Sequence, residues 1–186
     1  MRSDDYVRTE HADFWLSDNY LRWGLESLFT QNSLAKDSIH YVFLTEQRYS
    51  EVRQQNYNLS NTRIILLTDG SRFQFLNDMA IYQFPIKSSI EELQQFIISI
   101  SSQKEPLRHY KAPVSLNQRE RLLIDLIKQG KRMADMGELL NLHIKTVYQT
   151  RQSLMKKMGC SGAADLMHKL HSDIFKSWLA ESHQLH

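Results

Sequence analysis

Cysteine is nearly absent from this chain of 186 residues. Cys160 stands alone, so no intrachain disulfide can form and a reducing compartment is the natural setting. Glycine and proline are scarce too, with six and three residues, which leaves little material for long irregular loops. No apolar run reaches bilayer-spanning length; the longest, within RIILLT, is strand-sized. The opening MRSDDYVRTEHADF contains no apolar segment of signal-peptide length. A cytoplasmic protein without membrane contact is expected. Enzymatic signatures are also missing: there is no phosphate-cradling glycine loop, no His-Glu-x-x-His and no Cys/His cluster with metal spacing. His168 and His171 stand three apart, too few ligands for a closed site. No catalytic, metal or cofactor role is expected, and Cys160 reads as a small core residue rather than a reactive thiol.

What the chain does hold is apolar and aromatic. Hydrophobic residues make up 41 %, with eight Tyr, eight Phe and three Trp, which argues for packed cores and against disorder. The formal net charge of +2 conceals an asymmetry. Residues 1–110 hold eleven Lys and Arg against fourteen Asp and Glu, a net of −3. Residues 111–186 hold twelve against seven, a net of +5. The second half is the better candidate for contact with a polyanion.

Residues 101–115, SSQKEPLRHYKAPVS, are polar, carry Pro106 and Pro113, and separate two differently patterned regions. Proline removes a backbone donor and disfavours helix before it, so the stretch reads as a linker, placed at 104–115. One domain then covers 1–103 and a second 116–186. In the first, strand patterns at 13–17, 41–45, 63–68 and 80–84 alternate with helical patterns at 19–29 and 89–101. RIILLT suits a strand buried on both faces. Ser88 or Ser89 is placed to cap the second helix, with Glu91 and Glu92 in its first turn. Such alternation predicts an α/β domain: a parallel sheet with helices on both faces.

After the linker the pattern is helical throughout. Leu122, Leu123, Leu126 and Ile127 form one apolar face that Gly130 closes. Met133, Met136, Leu139 and Leu140 form a second, followed by a turn at Asn141 and Leu142. A third helix runs over 147–158 to Gly159 and a fourth begins over 163–170. Ile174, Phe175, Trp178 and Leu179 continue at helical spacing. The third helix has two opposed stripes. Val147, Leu154 and Met158 are apolar; Lys145, Tyr148, Gln149, Gln152 and Lys156 are polar and cationic. No acid occurs between Glu138 and Asp165. An anchored helix with a cationic, amide-rich outer face suits the major groove of DNA.

Residues 116–170 resemble the helix-turn-helix domain of LuxR/FixJ/NarL-type bacterial regulators. The matching positions are Leu116, Arg119, Glu120, Leu123, Ile127, Gly130, Leu140, Lys145, Thr146, Val147, Lys157, Met158 and Gly159. The resemblance implies an all-α four-helix domain whose third helix enters the major groove. It makes Tyr148, Gln149 and Gln152 candidates for base edges and Lys145, Thr146, Arg151, Lys156 and Lys157 candidates for phosphates. Three positions depart from the family pattern. His143 replaces the usual Ser or Thr cap, Gly137 a small Ala, and Thr150 a frequent His. Arg119 and Glu120 also admit a purely structural reading, pairing at the first helix.

The first half resembles a truncated receiver domain of response regulators, in SDNYLRWGLESLF, IILLT and FPIKSSIEEL. The resemblance places a degenerate pocket at Asp18, Glu46, Thr68 and Lys87. Receivers hold Mg²⁺ on an acid pair that here falls at about Leu16 and Ser17, with Asp18 displaced. Their phosphoacceptor column falls at Glu46, so no phosphotransfer is expected. Glu46 reads either as a fixed mimic of a phosphorylated Asp or as a surface residue opening a helix. The whole is similar to enterobacterial auxiliary regulators of the capsule-phosphorelay type. It implies a sequence-specific DNA-binding transcription regulator, dimeric with itself or with another LuxR-type regulator, independent of phosphorylation, and nucleoid-associated when bound to double-stranded DNA. The competing expectation is an adaptor or anti-regulator that pairs with another response regulator without reading DNA.

Overall fold

The structure is a computed structural model, and it describes residues 6–31, 38–70, 72–76, 80–103 and 114–182. The chain divides into two compact units. One comprises Met1–Arg72 and Met79–Tyr110; the other comprises Phe73–Asp78 and Lys111–His186. Residues 104–113, most of the expected linker with Pro106 and Pro113, lie outside the described residues.

The first unit is a five-stranded sheet in sequential order: β1 (Tyr6–Arg8), β2 (Ala12–Trp15), β3 (His40–Thr45), β4 (Thr62–Thr68) and β5 (Ile81–Pro85). β1 pairs antiparallel with β2, and the remaining neighbours are parallel. The first strand was not anticipated from the pattern, since three residues are too few to show alternation. All seven residues of β4 are buried, as a continuous apolar run demands. Period-two alternation sends Phe14, Phe43, Ile65, Leu67 and Phe84 into one core. Leu25 and Leu28 of α1 (Asn19–Gln31) and Ile97 and Ile100 of α3 (Ile90–Ser101) cover it. Phe29 closes on Phe14, Tyr41 and Phe43 with ring centroids 5.3–6.2 Å apart. A 3-10 turn (Glu46–Arg48) leads into the short α2 (Tyr49–Arg53), which buries Tyr49 and Val52.

Local capping explains where these helices start and stop. Ser89 caps α3 in a complete capping box with Glu92. The far end of α3 is met by a buried cation: Arg63 donates to the carbonyls of Ile100 at 3.1 Å and Gln103 at 2.6 Å. A cation there satisfies orphan carbonyls and suits the helix dipole.

The second unit packs α4 (Gln118–Lys128), α5 (Met133–Leu140), α6 (Ile144–Met158), α7 (Ala163–His171) and α8 (Asp173–Ser182). Its core takes Leu123, Ile124, Ile127, Met136, Val147, Leu154, Met158, Leu166 and Leu170. Leu122 and Leu139, expected on apolar inner faces, are exposed at 45 % and 62 %. Spacing alone does not distinguish the centre of an apolar arc from its edge. α5 ends on Asn141 in the left-handed conformation, and three residues later α6 begins. Gly137 permits this close crossing, because a Cβ there would stand 3.0 Å from the Leu142 carbonyl oxygen.

A 3-10 turn at Gln74–Leu76 belongs to this second unit, although it lies thirty residues before the polar stretch at 104–115. Phe75 is fully buried against Phe175 and Trp178 of α8, at 5.8 and 5.0 Å between centroids. Phe75→Ala is expected to destabilise the helical unit by about 3–5 kcal/mol, the cost of an aromatic-to-alanine cavity. Tryptophan-monitored denaturation reads this through Trp178.

Candidate nucleic-acid interface

The geometry of α6 follows from one buried carboxylate. Glu120 is 1 % exposed and sits at the third position of α4. Its Oε2 accepts from the Asn117 backbone N–H at 2.8 Å while Asn117 Oδ1 accepts from the Glu120 N–H, a capping box. The same Oε2 receives Lys157 Nζ of α6 at 2.8 Å, and Oε1 receives Ser153 Oγ at 3.3 Å. Glu120 thus caps one helix and fixes the rotation of another. Arg119 stays exposed, and Glu120 finds its cation on α6 instead of beside it in sequence.

That rotation sorts the sequence candidates. Lys145, Tyr148, Gln149, Gln152 and Lys156 are exposed along the outer face of α6. Opposite them, Val147, Leu154 and Met158 are completely buried. Thr146 is half-buried, its carbonyl accepting from Thr150 Oγ1 at 2.9 Å. Two of the candidate phosphate contacts lie off the outer stripe. Lys157 is committed to Glu120 and the Ser115 carbonyl, at 2.8 and 3.0 Å. Arg151 lies over Met133, its Nη1 3.8 Å from Sδ. Their charge serves internal contacts because helix positions 151 and 157 fall on the two flanks of the outer arc.

Both ends of α6 are closed. His143 does cap: its Nδ1 accepts from the Lys145 N–H at 3.2 Å. Gly159 ends the helix at φ 65°, and a side chain there would collide with Gln74, 2.3 Å from its Cδ. Lys169 of α7, 1 % exposed, donates to the Gly159 carbonyl at 2.9 Å and to Asp165 at 3.3 Å. Burial raises the Asp165 carboxyl, but the Ser161 N–H and Lys169 outweigh it and hold the group below its ordinary value. The clamp leaves no distinct mark in the sequence, since one Lys at helical spacing from one Asp resembles any surface pair.

In the α/β unit the parallel register brings the ends of β3, β4 and β5 together, with Thr45 beside Leu67 and Thr68 beside Pro85. Glu46, Thr68 and Lys87 therefore lie along one edge of the sheet. Asp18 follows β2 at that edge, but it caps α1: its Oδ1 accepts from the N–H groups of Tyr20 at 2.8 Å and Leu21 at 3.2 Å. Glu46 opens the 3-10 turn before α2, Thr68 is buried, and Lys87 is exposed. A different polar cluster went unread. Asp13, 1 % exposed, is 3.0 Å from His40 Nε2 and accepts from Tyr57 Oη at 2.7 Å, and the Trp15 indole donates to that same phenol. An acid inside the apolar strand pattern was its only trace.

No family model matches the chain, and no curated protein matches it. Among solved structures, full-length FixJ from B. japonicum aligns over 87 % of this chain and 96 % of its own, at 16 % identity and a TM-score of 0.30. A superposition that poor establishes neither a common arrangement nor a common activity.

Two measurements check the chemistry of this unit. Glu120→Ala removes the cap and the acceptor of Ser153 and Lys157, while the half-buried Lys157 ammonium can turn to water, so thermal unfolding should show a loss of about 1–3 kcal/mol. Arg119→Ala should stay within about 0.5 kcal/mol. Burial pushes the Cys160 thiol up to about 11, against the pull of Lys169. At pH 8, below that value, little thiolate exists. Alkylation by iodoacetamide should run on the order of 100-fold slower than in the urea-unfolded chain.

Proposed function

We propose that this chain is a transcription regulator that binds double-stranded DNA as a dimer through the outer face of α6, in the manner of a helix-turn-helix, without phosphotransfer. The observation that carries the reading is the sorting of α6. One flank and the inner face are locked by Glu120 and the core, while Lys145, Gln149, Gln152 and Lys156 share an exposed arc free of acids. Side-chain amides on a held helix can read adenine edges, and flanking ammonium groups neutralise phosphates.

The roles then divide. Gln149, Gln152 and Tyr148 face base edges. Lys145 and Lys156 contact phosphates, with Thr146 and Arg151 at the margins of the face. Lys157 contributes by holding the helix. A capping role for Asp18 and a Glu in the acceptor column support independence from phosphorylation. The pairing partner is the chain itself or a related regulator, and duplex DNA is the ligand.

A second reading is favoured by exposed apolar groups at the α5–α6 corner, Leu139, Ile144 and Tyr148, at 62, 43 and 49 %. Such a surface suits a protein partner, and the chain would then act as an adaptor that does not read DNA. Salt dependence separates the two. Selection from random duplexes followed by titration should give a binding constant that falls steeply with salt. Lys145→Ala and Lys156→Ala should each flatten that slope by about one, and Gln152→Ala should relax base preference. Lys157→Ala should instead lower the melting temperature. Absence of any salt-dependent duplex binding would favour the adaptor.

A further inference from the structure

The α/β unit carries an apolar groove of about 210 Å³ between α1 and α3, open to solvent. Leu21, Gly24, Leu28, Phe84, Ile90 and Leu93 line it. Gly24 leaves its floor unfilled, since a Cβ there would meet nothing within 4 Å. Tyr20 forms part of its wall and packs edge to face on Trp23 at 6.0 Å; the two rings are 84 % and 58 % exposed. Exposed aromatics of this size next to an empty apolar groove mark an interaction surface on a soluble fold.

Charge identifies the occupant. Positions three and four apart share a helix face, and on α1 the exposed run Tyr20, Trp23, Gly24, Ser27 and Thr30 contains no charge. The flanking Arg22 and Glu26 pair with each other at 3.8 Å. Next in sequence to the lining residues Ile86, Ser88, Ser89, Ile90 and Leu93, the exposed Lys87, Glu91 and Glu92 are of mixed sign. The face therefore carries no large excess of one sign that would select a strongly acidic or a strongly basic partner. A second copy meets its own neutral stripe, and across a two-fold axis Lys87 of each copy can face an acid of the other. Self-pairing also requires knob and hole on the same surface, and Tyr20–Trp23 adjoin the groove. Two aromatics burying roughly 150–250 Å² each supply a large share of the ~800 Å² per partner that stable pairs bury.

We propose that this face is the homodimer surface: Tyr20 and Trp23 of one copy seat in the groove of a second, and reciprocally. The proposal rests on the dimeric reading above and names its surface. The experiment is sedimentation velocity of the full chain across concentration, for wild type, Trp23→Ala and Gly24→Leu. Gly24→Leu fills the groove while replacing a helical glycine, so its melting temperature should hold or rise although it fails to pair. Trp15 and Trp178 are 7 % and 5 % exposed, so iodide quenching of wild-type fluorescence reports Trp23 and should fall as the dimer forms. Trp23→Ala should raise the dimer dissociation constant at least tenfold. Both variants should still bind a single DNA half-site with wild-type affinity, which keeps failure at this face apart from failure of DNA recognition. A wild-type protein that stays monomeric, or a Gly24→Leu protein that dimerises like wild type, overturns the proposal.

Discussion

A carboxylate taken out of water is costly unless cations and donors surround it, and the helical unit is organised around one such group. Glu120 accepts from a backbone N–H, a serine hydroxyl and a lysine ammonium at once. The first of these belongs to the start of α4 and the other two to α6. Any rotation of α6 about its axis would break both side-chain bonds and leave a buried charge unmatched. The outer arc of α6 therefore points away from α4, whichever ligand it meets. Lys169 does comparable work just beyond, at the C-terminal end of α6, holding the Gly159 carbonyl that the left-handed turn leaves without a helical partner.

The α/β unit shows polar residues turned to structural ends. Asp18 satisfies two amides at the start of α1, and Arg63 satisfies two carbonyls at the end of α3. The resemblance places Asp18 in a degenerate pocket, and its carboxylate serves the helix start. The groove between α1 and α3 is a different case, because nothing internal fills it. The groove and the two exposed rings are what the proposed pairing surface is built from.

Much of the architecture was legible because periodicity is a local property. The β4 run, the apolar stripe of α6 and the Ser89 cap each depend on residues within a few positions of one another. The exposed stripe of α6 was legible for the same reason, as the complement of the buried one. Less was legible in the α/β unit: the edge strand at Tyr6–Arg8 is too short to alternate, and Asp13 gains His40 and Tyr57 only through strand pairing and a distant loop. At His143 the family pattern suggested a weaker cap, and the imidazole nitrogen nevertheless reaches the Lys145 amide.

The sequence by itself determined which segments become helix or strand and which side of each is apolar, since hydrophobic burial acts on patterns that repeat every two or 3.6 residues. Only the tertiary structure decided that Lys157 turns inward while Lys156 does not, that Phe75 joins the helical unit, and that a groove is left beside Trp23. Those outcomes depend on partners thirty to a hundred positions away, and they are settled by close packing and by the cost of burying an unpaired charge, neither of which a local pattern contains.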